Sequence, residues 1–150
     1  MRSVSIAIAL VLIAMVSAIA HEGAVGVVAE RMATMKNMGA AMKQIKAMIK
    51  GRADYDAARV EELARAIAAH SGEKMTSLFP QGSDEKPAQT KPAVWSDWQR
   101  FRALADDLQQ KAIALANAAG SAATAKSPYR AVSKNCRSCH KKFRKKRKRH

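Results

Sequence analysis

"VWSDWQRFRALADDLQQKAIAL", Val94 to Leu115, is the stretch on which the fold turns. Its apolar side chains fall at Val94, Trp98, Phe101, Ala105, Leu108, Ala112 and Leu115, in alternating steps of four and three. At 3.6 residues per turn, that alternation keeps them on one narrow stripe of a helix. Such a stripe is the seam of a helix that lies almost parallel or antiparallel to its neighbours.

Reading outward, the chain repeats the pattern. "SLFPQGSDEKPAQTKPA", residues 77–93, carries three prolines and a glycine and has no periodicity, so it reads as a loop. It is longer than the connection between two antiparallel neighbours requires, which predicts a crossover running the length of a bundle. Before it, Val60, Leu63, Ile67 and Ala68 mark one side of a helix from about Asp56 to Met75, with Asp56 placed to cap it. Earlier still, Val28, Met32, Met35, Met42, Ile45 and Ile49 trace a helix from Val25 that Gly51 ends. After Ala119-Gly120-Ser121 a fourth helix is expected from about Ser127-Pro128, since proline suits a first helical turn, through Val132 and Cys136 toward Phe143. Aromatics make up only 5% of the chain, and nothing alternates with a strand's period or repeats as βαβ. The expected fold is all-α: an antiparallel four-helix bundle with one long crossover loop.

The first twenty residues, "MRSVSIAIALVLIAMVSAIA", join one positive charge to a short apolar run and a small-residue ending. This pattern predicts an export signal over residues 1–20, cleaved after Ala20, with residues 21–150 forming the bundle domain in a periplasm. Without Arg2 the remainder holds 26 basic and 12 acidic residues, a surface that favours acidic partners and loses the preference as salt rises. Eight of the nine residues from Lys141 to Arg149 are basic, so a basic tail spans about 141–150. Nucleic acid is the reflex partner of such a run, but export argues against it. Acidic redox proteins or an anionic membrane surface fit better, and the alternative is a solvated, frayed tail with no specific partner.

The only two cysteines sit in Cys136-Arg137-Ser138-Cys139-His140. A disulfide between them would close too small a loop to brace a domain. A redox dithiol would be expected beside a strand in a βαβ unit, and a structural zinc site needs four N or S ligands. C-x-x-C-H is instead the attachment pattern of c-type haem: two thiols bind the porphyrin and the next histidine ligates the iron. That assigns one covalent haem c to Cys136 and Cys139, with His140 as proximal ligand. Phe79, Trp95, Trp98, Phe101 and Phe143 are candidate pocket walls, with ordinary core packing the alternative for each. His21, at the expected new N-terminus, reads as an end without a copper site.

"ERMATMKNMGAAMKQI", "YDAARVEELA", "LFPQGS", "KPAVWSDWQRF" and "CRSCHKKFR", in that order, resemble the class II c-type cytochromes, the cytochrome c′ family. The resemblance implies that the first helix covers the distal haem face and that the residue four after its arginine points at the iron. Here Arg31 plus four is Met35, which is similar to the low-spin, His/Met-ligated branch. Met35 is therefore expected as distal ligand, with Met38 and Met32 as substitutes; ordinary core packing is the competing role. The resemblance also sets Arg31 beside a haem propionate and Arg144 beside the proximal histidine. The expected function is a periplasmic one-electron carrier that turns over no substrate, with a homodimer among the possibilities. The alternative is a high-spin protein binding nitric oxide or carbon monoxide at an open distal site. A peroxidase-like enzyme would need a polar distal acid/base pair, and the expected distal stripe offers Met and Ala.

Overall fold

The computed structural model describes residues 25–84 and 87–146. The expected export signal, His21 and the last four residues of the basic tail lie outside them. The elements are α1 (Gly26–Ile49), α2 (Ala57–Ala69), α3 (Gly72–Thr76), α4 (Ala93–Ser96), α5 (Trp98–Asn117) and α6 (Ala122–Phe143). No regular strand occurs among the described residues; Thr90 and Arg144 form one isolated antiparallel bridge. The four long helices pack in a ring, α1 against α2, α2 against α5, α5 against α6 and α6 against α1.

Each helix follows local chemistry, and three boundaries differ from expectation. Asp56 caps α2 by accepting from Arg59 N at 2.9 Å, as its position predicted. The second helix then breaks at Ser71, whose Oγ donates to Ile67 O at 2.6 Å. Gly72 follows at φ +59°, a backbone angle that favours glycine; a Cβ there would meet only the movable end of the Gln109 side chain of α5. The third helix is split at Asp97 (φ −129°, ψ 51°), leaving Val94 on a short turn ahead of α5. The fourth begins earlier than Pro128. Ser121 and Thr124 form a reciprocal cap, Thr124 N to Ser121 Oγ at 3.2 Å and Ser121 N to Thr124 Oγ1 at 3.1 Å. That cap decides the start, and Pro128 is carried inside the helix.

The seam of α5 is the centre of the core. Phe101, Leu104, Ala105, Leu108, Ala112 and Leu115 are buried on it, facing Val60, Ala64 and Ile67 of α2 and Ala125 and Val132 of α6. On α1 the buried ridge is Thr34, Ala41, Ile45 and Met48, so Met35, Met42 and Ile49 flank it half-buried. Tyr55 Oη donates to Ala119 O at 2.7 Å, closing one end of the bundle.

The long connection, residues 77–92, caps the other end instead of running the bundle's length. Arg31, at the start of α1, donates from Nη2 to Ser83 O at 2.6 Å. At the end of α6, Lys91 N donates to Phe143 O at 2.9 Å and Lys145 N to Gln89 O at 2.8 Å. Trp95 Nε1 donates to Phe79 O at 3.0 Å. The loop's length therefore goes into covering helix ends and pairing with the root of the tail.

Candidate functional site

On α6, Cys136, Cys139 and His140 stand three and four residues apart and share a face. They line a cavity of about 230 Å³ with Met35, Met38, Gly39 and Met42 of α1, Ile67 of α2, Met75 of α3 and Leu104 and Leu108 of α5. The fold thus brings the C-x-x-C-H residues and Met35 to one space. Met38 lines it too; Met32 does not.

The thiols are free and half-buried. Burial pushes both up, Cys139 to about 11, with the neighbouring Cys136 adding to the rise. A dithiol catalyst or thiolate metal site needs the opposite shift, so those readings lose their chemistry here. Among the described residues there is also no group of three His, Cys, Asp or Glu placed to hold a metal ion. Burial depresses His140, and Arg144 adds to the effect, which favours the neutral, lone-pair form of the imidazole. Two neutral thiols, a neutral imidazole and hydrocarbon or thioether walls suit a flat, apolar, covalently anchored macrocycle such as haem.

Arg31 lies 4% exposed and does not line the cavity. Its guanidinium sits 4.4 Å from the Phe79 ring centroid and reaches Ser83 Oγ at 3.3 Å as well as Ser83 O. Burial pulls its pKa down, with the Asp84 charge opposing. Among the described residues no carboxylate forms an ion pair with it. Arg144 is the exposed C-cap of α6, held in the bridge to Thr90, and acts on His140 through space.

Of the two roles open to the aromatic residues, pocket wall or core, the structure places Phe79, Phe101 and Phe143 in the core. Phe101 packs edge-on against Phe79 (centroids 4.7 Å) and Phe143 (5.4 Å) and lies 5.5 Å from Trp98. None of these, nor Trp95, lines the cavity with the cysteines. They form a cluster under the long loop because Phe101 and Phe143 come from helix turns at the capped end. Trp95 and Trp98 border a separate, wider groove of about 520 Å³ with Phe79 and Pro80, where no thiol, imidazole or thioether is present.

A polar row on α6 went unnoticed in the sequence. Tyr129, Ser133 and Arg137, spaced four apart, line one side of the cavity, and Arg137 Nη1 donates to Ser133 Oγ at 2.7 Å. Asn135, 3% exposed, donates from Nδ2 to Leu104 O at 3.1 Å and to Asp107 Oδ2 at 2.7 Å. Counting back by four from Cys139 and Arg137 would have found Asn135 and Ser133.

Comparison with known proteins agrees with this geometry. The sequence model of the family described as Cytochrome C′ matches residues 26–144. Cytochrome c′ of Rhodopseudomonas palustris is 40% identical over 123 residues, covering 79% of this chain and 81% of the relative. Cytochrome c-556 of Agrobacterium tumefaciens is 31% identical, covering 79% and 97%. The solved Rhodopseudomonas palustris cytochrome c′ superposes with a TM-score of 0.77 at 36% identity, over 83% of this chain and all of that one. Another solved cytochrome c′, described as having ligand-controlled dimer dissociation, reaches 0.74 at 31% identity, over 80% and 95%. A nitric oxide complex of an Alcaligenes xylosoxidans cytochrome c′ variant shares the fold at 24% identity and a TM-score of 0.72, over 80% and 94%.

Proposed function

We propose a function for this chain from one premise: it belongs to the cytochrome c′ family. It is a c-type cytochrome of a periplasmic family with one covalently attached haem c. Bound in the cavity, that group would supply a one-electron iron couple and a binding site for a small ligand. Cys136 and Cys139 hold it through their sulfur atoms, and His140 gives the proximal nitrogen. Arg31, a buried cation, serves the anionic propionate edge through charge-assisted hydrogen bonds. Arg144 adjusts the proximal side electrostatically, because its charge bears on His140.

The distal face is the open one, and the protein binds a diatomic gas such as nitric oxide or carbon monoxide there. The observation that carries this reading is the α1 wall of the cavity: Met35, Met38, Gly39 and Met42 bring no imidazole and no hydrogen-bond donor side chain. Long, flexible thioethers beside a glycine give way to a small apolar ligand. The relatives named cytochrome c′, and the nitric oxide complex solved for one of them, support the same choice.

The His/Met electron carrier expected from the sequence becomes the second reading. It is favoured by one observation, that Met35 shares the cavity with His140. A single bond separates the two, so one pair of measurements decides. In the open reading the ferrous protein is five-coordinate, takes up carbon monoxide at once, and keeps its spin state in Met35→Ala. A six-coordinate, low-spin wild type that turns five-coordinate in Met35→Ala sinks the open reading and installs the carrier. The dimer expected from the sequence gains support from the relative whose dimer dissociates under ligand control. Sedimentation with and without carbon monoxide tests it.

A further inference from the structure

The described part of the basic tail, residues 141–146, is held against the bundle. Its root is sewn to the long loop by Lys91 N to Phe143 O, the Thr90–Arg144 bridge and Lys145 N to Gln89 O. Lys145 Nζ also reaches Asp84 O at 3.4 Å, and Lys91 Nζ reaches Lys141 O at 3.3 Å. This fixes Lys91, Lys141, Arg144, Lys145 and Lys146 at one end of the molecule, all but half-buried Lys91 exposed. Asp97, the N-cap residue of α5, is already paired with Lys142.

The same end carries both tryptophans of the chain. Trp95 follows Lys91 by four residues, and Trp98 follows Asp97; the two half-buried indoles border the wide groove with Phe79 and Pro80. Indole rings at a rim of lysine and arginine are the pairing found where proteins meet the headgroup layer of a bilayer. An acidic protein would have to match fixed cation positions. A fluid layer of anionic lipid arranges itself under any of them, including the further basic residues to Arg149.

We propose that this tryptophan-and-lysine end is a docking face for an anionic phospholipid surface. It holds the cytochrome at the periplasmic face of a membrane by charge and by indole contact, without insertion of a helix. The inference rests on the periplasmic reading for its setting and is independent of what occupies the distal face.

The test uses the haem-loaded protein, followed by its Soret absorbance, in co-flotation with vesicles. One set is pure phosphatidylcholine and the other contains a minority of phosphatidylglycerol. Binding is expected only to the second set and is lost as salt is raised. Reversing two charges with K145E/K146E lowers the partition coefficient roughly a hundredfold. The matched reversal K50E/K126E, at the opposite end, changes it less than about threefold, because screened charge acts over about 10 Å. Soret absorbance and helical circular dichroism of both variants confirm that haem and fold are kept. Equal loss in both variants overturns the proposal, as does equal binding to both vesicle sets. Capture by polyglutamate with no vesicle binding also overturns it and assigns the face to an acidic protein.

Discussion

Helices α6 and α1 wall the same cavity and are held in different ways. The first turn of α6 is closed by the Ser121–Thr124 reciprocal cap, whereas α1 starts at Val25, 79% exposed, with no side-chain cap and no acid in its first turn. Side chains of α6 are tied to α5 through Asn135, which reaches both Leu104 O and Asp107. Those of α1 meet the cavity with half-buried methionines. One wall is specified atom by atom, and the other is soft and adjustable. The difference teaches that the anchoring chemistry and the ligand chemistry of this site are separable, and that mutations on the two walls should act in different currencies.

The largest contrast comes from the anchors. Replacing Cys136 and Cys139 by serine should abolish covalent haem, read as loss of the haem increment in intact mass and of haem stain on a denaturing gel. Met35→Ala should leave both signals unchanged. If Met35→Ala also lost covalent haem, the division of labour between the walls would be wrong.

The next contrast is energetic. Phe101 is 2% exposed and touches Phe79, Trp98 and Phe143, so Phe101→Ala should cost about 3–5 kcal/mol in urea unfolding of the haem-loaded protein. Met42→Ala on the soft wall, half-buried at the cavity, should cost less than about 2 kcal/mol. Equal costs would mean that α1 packs as tightly as the core.

These contrasts track what could be read from the residues. The steps of four and three in Val94–Leu115 located the core seam because a buried helix face has only that period to use. Cys136, Cys139 and His140 were legible because thioether attachment needs two thiols and a histidine at fixed spacing on one helix turn. Met35 was legible as a cavity residue and ambiguous as a ligand, since a core methionine and a ligating one have the same spacing on a helix. The start of α6 was missed because Pro128 is a louder signal than a serine–threonine cap with threonine in place of the usual Glu or Gln. The breaks at Ser71 and Asp97 were hidden because they appear in backbone angles, Gly72 at φ +59° and Asp97 at φ −129° and ψ 51°, while the apolar spacing runs on through both. Arg31 was legible as a basic residue of α1, whereas its contacts with Ser83 and Phe79 arise only once the loop has folded over it.

A smaller, pH-dependent effect probes the α5–α6 tie. Asp107 accepts from Lys111 and Asn135, and these hydrogen bonds, led by Lys111, hold its pKa below the ordinary 3.8. A carboxylate lowered on folding stabilises the fold above its unfolded pKa and loses that contribution as pH falls through the folded value. Wild-type stability should therefore decline as the pH drops below about 4, with a shallower decline in Asp107→Asn. Because the aspartate side chain is 44% exposed, solvent screening keeps the difference modest. Identical acid-unfolding curves for the two proteins would show that the tie contributes nothing through its charge.

The smallest effect tests the caps themselves. Ser121 satisfies an orphan N–H of α6, so Ser121→Ala should cost about 1 kcal/mol. Val25 already holds the extended backbone of an N-cap, φ −127° and ψ 159°, but has no oxygen to offer. Val25→Ser should supply that acceptor and stabilise α1 by about 0.5 kcal/mol, the low end of the range because the position lies at an open helix end. Amide exchange in the first turn of each helix is the sharper readout: slower on α1 in Val25→Ser, faster on α6 in Ser121→Ala. Gas-binding rates separate the two walls again. Firming the first turn of α1 should slow carbon monoxide entry slightly if the soft wall must move to admit it, whereas loosening α6 at its far end should leave entry unchanged. A rate that follows α6 and ignores α1 would reverse the assignment of which wall yields.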